Sequence, residues 1–358
     1  MGLFESIFDL TYLVLVISLG LRLVLLENKE ARLFGWMAVI LGSGDAFHLI
    51  PRVIAHLSPL GFEGYQGALS WGKFVTGITM TIFYVLFYFY YRSRSGDTDK
   101  KKQGAIFLLA GLRILLILLP QNNWGTANES YTMGILRNIP FAILGFLLVF
   151  WTYKNRKVEG LEHMSLLIFL SFLFYIPVVL GSEKIPALGA LMLPKTVAYV
   201  FIVVQGFQFF IPDFKRDNFL DQGISYLLMG LVAGVFYREF TKYYGFTGVT
   251  HLAKVHVHTL VLGFILSLIL FLLVGHFAKE NIAALKKSFH VYNTGLVLTL
   301  SSMTLYGIFD VVREGQETVS IPALSGISGL GHIFLGVGLV WLMVSLRKTR
   351  QDLRIKEA

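Results

Sequence analysis

Two histidines in the last third of the chain lie within apolar segments, where their presence needs a chemical reason. His258 is near the start of one segment, and His332 lies in the last one. A histidine in hydrocarbon costs free energy unless another group binds it or pairs with it. Both lie about two turns below the predicted outer ends of their helices, at about 1.5 Å per residue. Two imidazoles on two helices at one depth are what a bis-histidine haem needs, so we predict that His258 and His332 ligate the iron of haem b.

The residues around this pair refine the prediction. His256 lies two positions before His258, hence roughly 200° away around a helix, so the two imidazoles cannot face one partner. We prefer His258 as the ligand, because it lies deeper and is followed by Gly263, which permits the close approach of a flat macrocycle. Arg238 is the first candidate for binding a haem propionate, since a guanidinium binds a carboxylate bidentately. The glycines that permit close approach around His332 are Gly331, Gly336 and Gly338.

Simpler explanations for the histidines stay open. A single histidine in such a segment is explained equally well by a hydrogen bond to a neighbouring helix. Small residues at membrane helix contacts also let helices pack without any cofactor. Zinc or copper is a weaker alternative to haem, because those sites usually need three or four ligands and no acidic residue accompanies this pair.

A second group of ionisable residues lies in the N-terminal half. Asp45, His48 and Arg52 recur at i, i+3 and i+7, so they share one helix face, and such a stripe in hydrocarbon indicates a functional site. Four further cations lie toward the same predicted outer half: Lys73, Arg113, Arg137 and Lys195. We predict an outward-facing cavity that binds a lipid headgroup, a small anion, a quinone oxygen or haem propionates. The alternatives are an interhelical ion-pair network and lysines that extend to the interface.

The composition predicts that membrane helices position both groups. Of the 358 residues 55% are hydrophobic and only 15% are charged, and the mean hydropathy is +0.66, which is typical of a polytopic membrane protein. The chain contains no cysteine, which excludes disulfides, iron–sulfur clusters and thiolate ligation of haem. The net charge of +9 does not indicate a nucleic-acid partner, because the basic residues lie in short loops between apolar runs. The expected partner is the lipid bilayer.

Apolar runs of roughly 17–25 residues predict an all-α protein with about eleven transmembrane helices. They are 7–26, 33–57, 69–91, 104–120, 133–153, 162–181, 188–211, 222–238, 252–276, 289–311 and 326–346. A break at 212–218 divides them into a seven-span module, 1–212, and a four-span module, 219–358. The aromatic-rich run 83–91 in the third span predicts a lipid-facing surface with an interfacial belt.

The positions of lysine and arginine predict the orientation. The basic loops are 92–102, 154–157, 215–216, 279–287 and 347–350, and with eleven spans they all lie on one side. The opposite loops, including 314–317, are poor in basic residues. Because cytoplasmic loops carry the excess of lysine and arginine, we expect the N-terminus outside and the C-terminus in the cytoplasm.

Four motifs in the C-terminal module carry a family resemblance. They are Tyr237-Arg-Glu-Phe240, Gly245-Phe-Thr-Gly248, His256-x-His258-x4-Gly263 and Gly331-His332-x3-Gly336. Together, over about 222–346, they resemble an uncharacterised bacterial family of small four-span integral membrane proteins. More distantly, the segment around His258 is similar to the second helix of haem–copper oxidase catalytic subunits and of NnrS-type membrane haem proteins. That likeness implies His258 or His256 as one ligand of a low-spin haem, whereas His332 is assigned by depth.

The expected function follows from both groups. We predict a haem b protein of a bacterial cytoplasmic membrane, for electron transfer or for sensing or handling a diatomic gas, with a quinone or a redox protein as partner. The further histidine cluster and tyrosine of an oxidase copper centre are not found, so oxygen reduction is not predicted. The competing hypothesis is a haem-free transporter or lipid- or anion-binding protein that uses Asp45, His48 and the buried cations. No catalytic residue and no enzyme class are assigned.

Overall fold

The computed structural model describes residues 2–277, 282–313 and 322–357. It is 85% helical, and the described residues contain no strand, which confirms the all-α prediction. Within these ranges the helices are α1 (Gly2–Val24), α2 (Lys29–Leu57), α3 (Gln66–Ser95), α4 (Lys100–Leu118), α5 (Tyr131–Lys154), α6 (Met164–Gly181), α7 (Met192–Phe210), α8 (Asp217–Tyr244), α9 (Leu252–His258), α10 (Leu266–Phe277), α11 (Ala283–Val312) and α12 (Pro322–Glu357). A π-helical segment, Thr259–Ile265, joins α9 to α10 without a break.

Ten helical segments among the described residues are long and apolar enough to cross a membrane, as expected of a multi-pass membrane protein. The predicted fourth span corresponds to α4, which is not one of the ten. That helix has 19 residues and begins with three lysines, Lys100 to Lys102, and Arg113 lies in its second half. The number of spans and the orientation stay predictions. Lys279 and the loop 314–317, which the orientation argument uses, lie outside the described residues.

Residue contacts divide the chain into two compact units. Unit A contains Leu15–Arg52 and Phe62–Phe210, and unit B contains Met1–Val14, Val53–Gly61 and Ile211–Ala358. The sequence places the first 61 residues in one module, whereas their contacts distribute them over both units. Each unit is described separately below.

The centre of unit A is aromatic. From α3 to α7, each helix packs against the next one along the chain. Six rings of α3 are fully or almost fully buried: Phe83, Tyr84, Phe87, Tyr88, Tyr90 and Tyr91. The prediction that this run faces lipid is therefore wrong.

Hydrogen-bond partners explain why Tyr84 and Tyr90 tolerate burial, whereas the Tyr88 hydroxyl is buried without such a partner. The Tyr84 hydroxyl hydrogen-bonds with Ser171 Oγ at 3.0 Å and with the Tyr199 hydroxyl at 3.2 Å. The Tyr90 hydroxyl donates to the Gly160 carbonyl at 2.8 Å. Edge-to-face ring contacts, such as Tyr84 against Phe141 with centroids 5.3 Å apart, complete this core.

Unit B is held together by close helix contacts. The helix α8 packs along α9, the π-helical segment and α10, and α11 packs along α12. A Cβ added to Gly338 would lie 2.5 Å from the backbone of Tyr292, and one added to Gly295 would lie 2.2 Å from the Leu335 nitrogen. Only glycine therefore permits the observed approach of α11 and α12, as is common where small residues bring membrane helices together.

Candidate functional site

Unit A contains a cavity of about 360 Å³ at the end where α5 and α7 begin. Its walls come from α2 to α7 and from the loop between α4 and α5. Five of the seven residues predicted to form an anion-binding cavity line it: His48, Lys73, Arg113, Arg137 and Lys195. The carboxylates in the lining are Glu129 and Glu183. The lining therefore carries four cationic side chains and two acidic ones, in addition to the histidine.

Arg113 is the most deeply placed of these cations. Its side chain is 4% exposed, and its Nε and Nη1 atoms are buried without a hydrogen-bond partner. The guanidinium carbon lies 3.2 Å from the centroid of the Phe141 ring. A buried charge normally has an opposite charge or hydrogen bonds that compensate its lost hydration. Among the described residues, no carboxylate lies within ion-pair distance of this guanidinium.

Lys195 enters the cavity from the first turns of α7. It is 7% exposed, and its Nζ atom lies 5.0 Å from the ring centroid of Tyr175 and 5.4 Å from that of Tyr199. The negative charge of Asp45 on α2 acts on this ammonium group, although Asp45 does not line the cavity. Two aromatic rings of the cavity lining therefore lie beside this ammonium group, an arrangement that stabilises a cation.

Arg137 is held in place by the loop between α4 and α5. Its Nη1 atom donates to Asn122 Oδ1 at 2.6 Å, and its guanidinium lies 4.4 Å from the Trp124 ring centroid. Asn122 is completely buried, and its amide group donates to three carbonyls at the end of α4, the shortest of these bonds being 2.7 Å to Leu116. One asparagine thus satisfies the last carbonyls of α4 and also orients a cavity cation.

The rim and the α2 wall complete the lining. Lys73 forms an ion pair with Glu129 at 3.2 Å, and the lysine side chain is 49% exposed. His48 contributes an imidazole whose Nδ1 atom is buried without a hydrogen-bond partner. Gly72 brings α3 against this part of α2, since a Cβ there would lie 2.6 Å from the His48 Cα atom.

The N-terminus of α5 adds to the positive potential of the cavity. Ser130 and Tyr131, at the start of α5, and Met192, at the start of α7, all line it. The Ser130 hydroxyl accepts a hydrogen bond from the Met133 amide at 3.3 Å and caps α5. The N-terminus of a helix favours negative charge, so the backbone and the side chains favour the same kind of ligand.

The remaining predicted residues of this group lie outside the lining. Asp45 is buried without lining the cavity, and Arg52 lies 5.5 Å from the Phe62 ring centroid. The lining or supporting residues that were not predicted include Asn122, Asn138 and Tyr175. Nothing in the local sequence distinguishes them from ordinary loop or interfacial residues.

The predicted haem ligands lie on two helices of unit B, α9 and α12, which both pack against neighbouring helices of that unit. The Nδ1 atom of His258 donates to the Lys254 carbonyl at 2.9 Å, and that of His332 donates to the Ser328 carbonyl at 2.8 Å. This arrangement leaves Nε2 of each neutral imidazole with its lone pair, as metal ligation requires. In this respect both residues fit the predicted role.

The other residues predicted to contribute to the haem site have different contacts in the structure. A Cβ on Gly263 would lie 2.5 Å from Tyr226, and one on Gly331 would lie 2.9 Å from Thr299, so these glycines serve helix packing. His256 stacks on Tyr237 with ring centroids 6.4 Å apart, and its Nδ1 atom is buried without a partner. Arg238 is 80% exposed, and its Nε atom lies 3.6 Å from Glu239. The described residues contain no group of three or more histidine and acidic side chains that could hold a metal ion.

Fold and cavity together define a helical multi-pass membrane protein with a cation-rich cavity in unit A. Residues 217–349, within unit B, are similar to a family described as a protein of unknown function (DUF2871). No curated protein matches the chain, and no solved structure matches it. The cavity residues all precede the segment that this family covers.

Proposed function

We propose that the chain is a membrane protein that binds an anion in the cavity of unit A, either to transport it or to hold it. The observation that carries the proposal is Arg113, whose buried guanidinium has two nitrogen atoms without a hydrogen-bond partner. Such a group costs several kcal/mol in desolvation, roughly, unless a ligand completes its hydrogen bonds. Lys195 and Arg137 line the same space and add to its positive charge.

The surroundings support a ligand with concentrated negative charge. A guanidinium binds a carboxylate or a phosphate with two parallel hydrogen bonds, which is the interaction that Arg113 lacks. A small anion, a lipid headgroup, a quinone oxygen or a haem propionate all have the necessary acceptors. We propose a location in the cytoplasmic membrane of a bacterium, which the resemblance of the C-terminal module implies, and a cavity that faces outward, which the loop charges predict.

Thermal unfolding of the purified chain in dodecyl maltoside, titrated with inorganic phosphate, tests the proposal. A ligand at a hundred times its Kd stabilises the folded state by about 2.7 kcal/mol. We expect this stabilisation in the wild type and its loss in Arg113→Met. The same variant should raise the Tm of the ligand-free protein, because it removes a buried charge that has no partner.

Arg156→Gln is the matched control. Arg156 follows the other end of α5, and its guanidinium lies 4.2 Å from the exposed Tyr153 ring. We expect it to leave the response to phosphate unchanged. Equal stabilisation of the wild type and Arg113→Met would contradict the proposal, and so would the absence of any response to phosphate, sulfate and acetate.

A second candidate function, haem binding for electron transfer or gas sensing, rests on His258 and His332. Both imidazoles donate from Nδ1 to a backbone carbonyl of their own helix. We propose that their Nε2 atoms would hold a haem b, which when bound supplies one-electron chemistry, with a quinone or a redox protein as partner. A reduced-minus-oxidised absorption spectrum of protein from haem-replete cells tests this. A sharp α-band lost in His258→Ala and His332→Ala supports it, and a colourless folded protein excludes it.

A further inference from the structure

A second, smaller cavity lies in unit A beside the first one. It has a volume of about 120 Å³ and lies between α5 and α6. Its lining consists of Ile135, Asn138, Ile139, Phe141, Ala142, Phe172, Tyr175, Ile176, Val179 and Leu180. The polar side chains in this set, Asn138 and Tyr175, satisfy each other through a hydrogen bond of 2.9 Å from the tyrosine hydroxyl to Asn138 Oδ1. We call this cavity the α5–α6 groove. Its remaining surface is suited to hydrocarbon.

The groove and the cation-rich cavity share part of their walls. Asn138, Phe141, Tyr175 and Val179 line both. The Phe141 ring is the closest link, since the Arg113 guanidinium lies over it at 3.2 Å while the same residue lines the groove. An apolar space therefore begins at the aromatic ring that the buried cation contacts.

The groove is accessible from the side that faces lipid. Ile139 and Leu180 line it, and each is 50% exposed on the surface of membrane-spanning helices. In a bilayer these side chains contact acyl chains. A hydrocarbon chain can thus enter the groove from the membrane, without crossing a polar surface.

We infer that the ligand of unit A is an amphipathic anion, whose phosphate or carboxylate head contacts Arg113 and Lys195 and whose alkyl chain occupies the α5–α6 groove. The inference rests on the proposed anion-binding function and adds the chemical class of the ligand. Charge complementarity selects the head, and the four residues that line both cavities bring the two spaces close enough for one molecule to occupy both. A free inorganic anion uses the first cavity alone.

Two ligands with the same phosphate head distinguish an amphipathic anion from a free inorganic anion. Binding of inorganic phosphate and of dodecyl phosphate to the full-length protein is measured in dodecyl maltoside. This detergent is uncharged and has the same alkyl chain as dodecyl phosphate. We expect dodecyl phosphate to bind more than about tenfold more tightly than inorganic phosphate, because each buried methylene contributes about fourfold. Dodecyl phosphate also partitions into the detergent micelles. Because this partition is the same for all variants at one detergent concentration, it does not affect the comparison between them.

Ala142→Trp fills the groove with an indole and leaves the first cavity unchanged, since Ala142 lines the groove alone. We expect it to weaken dodecyl phosphate binding by more than about tenfold, the effect of two methylenes. Inorganic phosphate should bind as in the wild type, which also shows that the variant is folded. The matched control is Ile143→Trp, at the next position of α5, which is 46% exposed and outside the groove.

A photoreactive probe gives an independent measurement if the tryptophan variant does not fold. Dodecyl phosphate with a diazirine in its chain should label groove residues of α5 and α6 in the wild type, and not in Arg113→Met. Identical labelling in both proteins would overturn the inference. So would equal affinities for the two ligands together with normal binding by Ala142→Trp, an outcome that leaves anion binding intact. If neither ligand binds the wild type, the proposed function itself fails.

Discussion

The Arg113 guanidinium of α4 lies 3.2 Å from the centroid of the Phe141 ring of α5, a helix long and apolar enough to cross a membrane. A cation over an aromatic face is stabilised by about 2 kcal/mol when both are desolvated. Transfer of such a cation out of water costs several kcal/mol, roughly, even after the protein relaxes. The ring therefore offsets only part of the cost of burying Arg113. The rest of the desolvation cost is not compensated in the ligand-free protein. An anion that accepts hydrogen bonds from the guanidinium would compensate it, and we therefore expect Arg113 to bind one.

Replacement of Phe141 separates the role of the ring from the role of the anion. We expect Phe141→Leu to destabilise the ligand-free protein by about 1–3 kcal/mol, from the lost ring contact with Arg113 and the reduced side-chain volume. The response to inorganic phosphate should persist, because the guanidinium is still present. Thermal unfolding with and without phosphate measures both quantities.

Phe146→Leu on the same helix is the control, since Phe146 is 52% exposed and outside both cavities. It should change the stability little. If Phe141→Leu were as stable as the wild type without ligand, the stabilising role of the ring would be refuted.

Asn122 connects the loop to the cavity, so its replacement should affect stability and binding together. Asn122→Ala removes three hydrogen bonds to carbonyls of α4 and the bond that orients Arg137. At about 0.5–1.5 kcal/mol for each of these four bonds, we expect a loss on the order of 2–6 kcal/mol in the free energy of unfolding. Phosphate binding should also weaken, because Arg137 loses its fixed position.

The comparison variant is Asn128→Ala in the same loop, where the side chain is exposed. Both its stability and its affinity for phosphate should match the wild type. Unchanged affinity in a folded Asn122→Ala protein would show that Arg137 does not depend on this contact.

The sequence predicts some of these residues and misses others for a physical reason. Arg113, Arg137 and Lys195 stand out because a charge within an apolar run is expensive, whatever the fold. Asn122, Asn138 and Tyr175 do not stand out, because asparagines are common in loops and tyrosines are common at membrane interfaces. Their roles come from helix packing, which brings together residues far apart in the chain.

The aromatic run of α3 shows that the sequence also fails to predict which side of a helix is buried. Apolar length alone identifies the membrane-type helices, but phenylalanine and tyrosine suit a lipid-facing surface and a protein core equally well. Tyr84 is buried because Ser171 on α6 and Tyr199 on α7 provide partners for its hydroxyl. Neither residue is close to it in sequence, so hydropathy could not predict which way the ring faces.

The loop before α4 contains a carboxylate whose protonation should affect stability. Asp97 hydrogen-bonds with Lys102, accepts from the Tyr91 hydroxyl at 3.2 Å and accepts from the Asp99 amide at 3.0 Å. Burial raises the pKa of Asp97, but the hydrogen bonds from Lys102 and the Asp99 amide outweigh it and hold the pKa below its ordinary value of 3.8.

A carboxyl group with a lowered pKa in the folded state stabilises the protein above its unfolded-state pKa. This contribution is complete above pH 3.8 and is lost as the pH falls through the lower, folded-state pKa. Asp97→Asn should therefore be less stable than the wild type at pH 7, and the difference should shrink as the pH falls below 3.8. Thermal unfolding of both proteins across this range measures it. A difference that does not depend on pH would show that Asp97 acts through packing alone.

Two glycines of α12 test how this helix is used. A Cβ on Gly338 would lie 2.5 Å from the Tyr292 backbone, whereas one on Gly336 would have no atom within 4 Å. Alanine is favoured over glycine within a helix by about 1 kcal/mol. We therefore expect Gly336→Ala to be neutral or stabilising, and Gly338→Ala to destabilise unit B by separating α11 from α12.

Gly336 also bears on haem binding, because it lies one turn after His332 and no atom lies within 4 Å of a Cβ placed there. If a haem macrocycle occupied the helix face at Gly336, Gly336→Ala would lower the haem content of the purified protein without impairing its folding. Unchanged haem content would show that no macrocycle occupies this face.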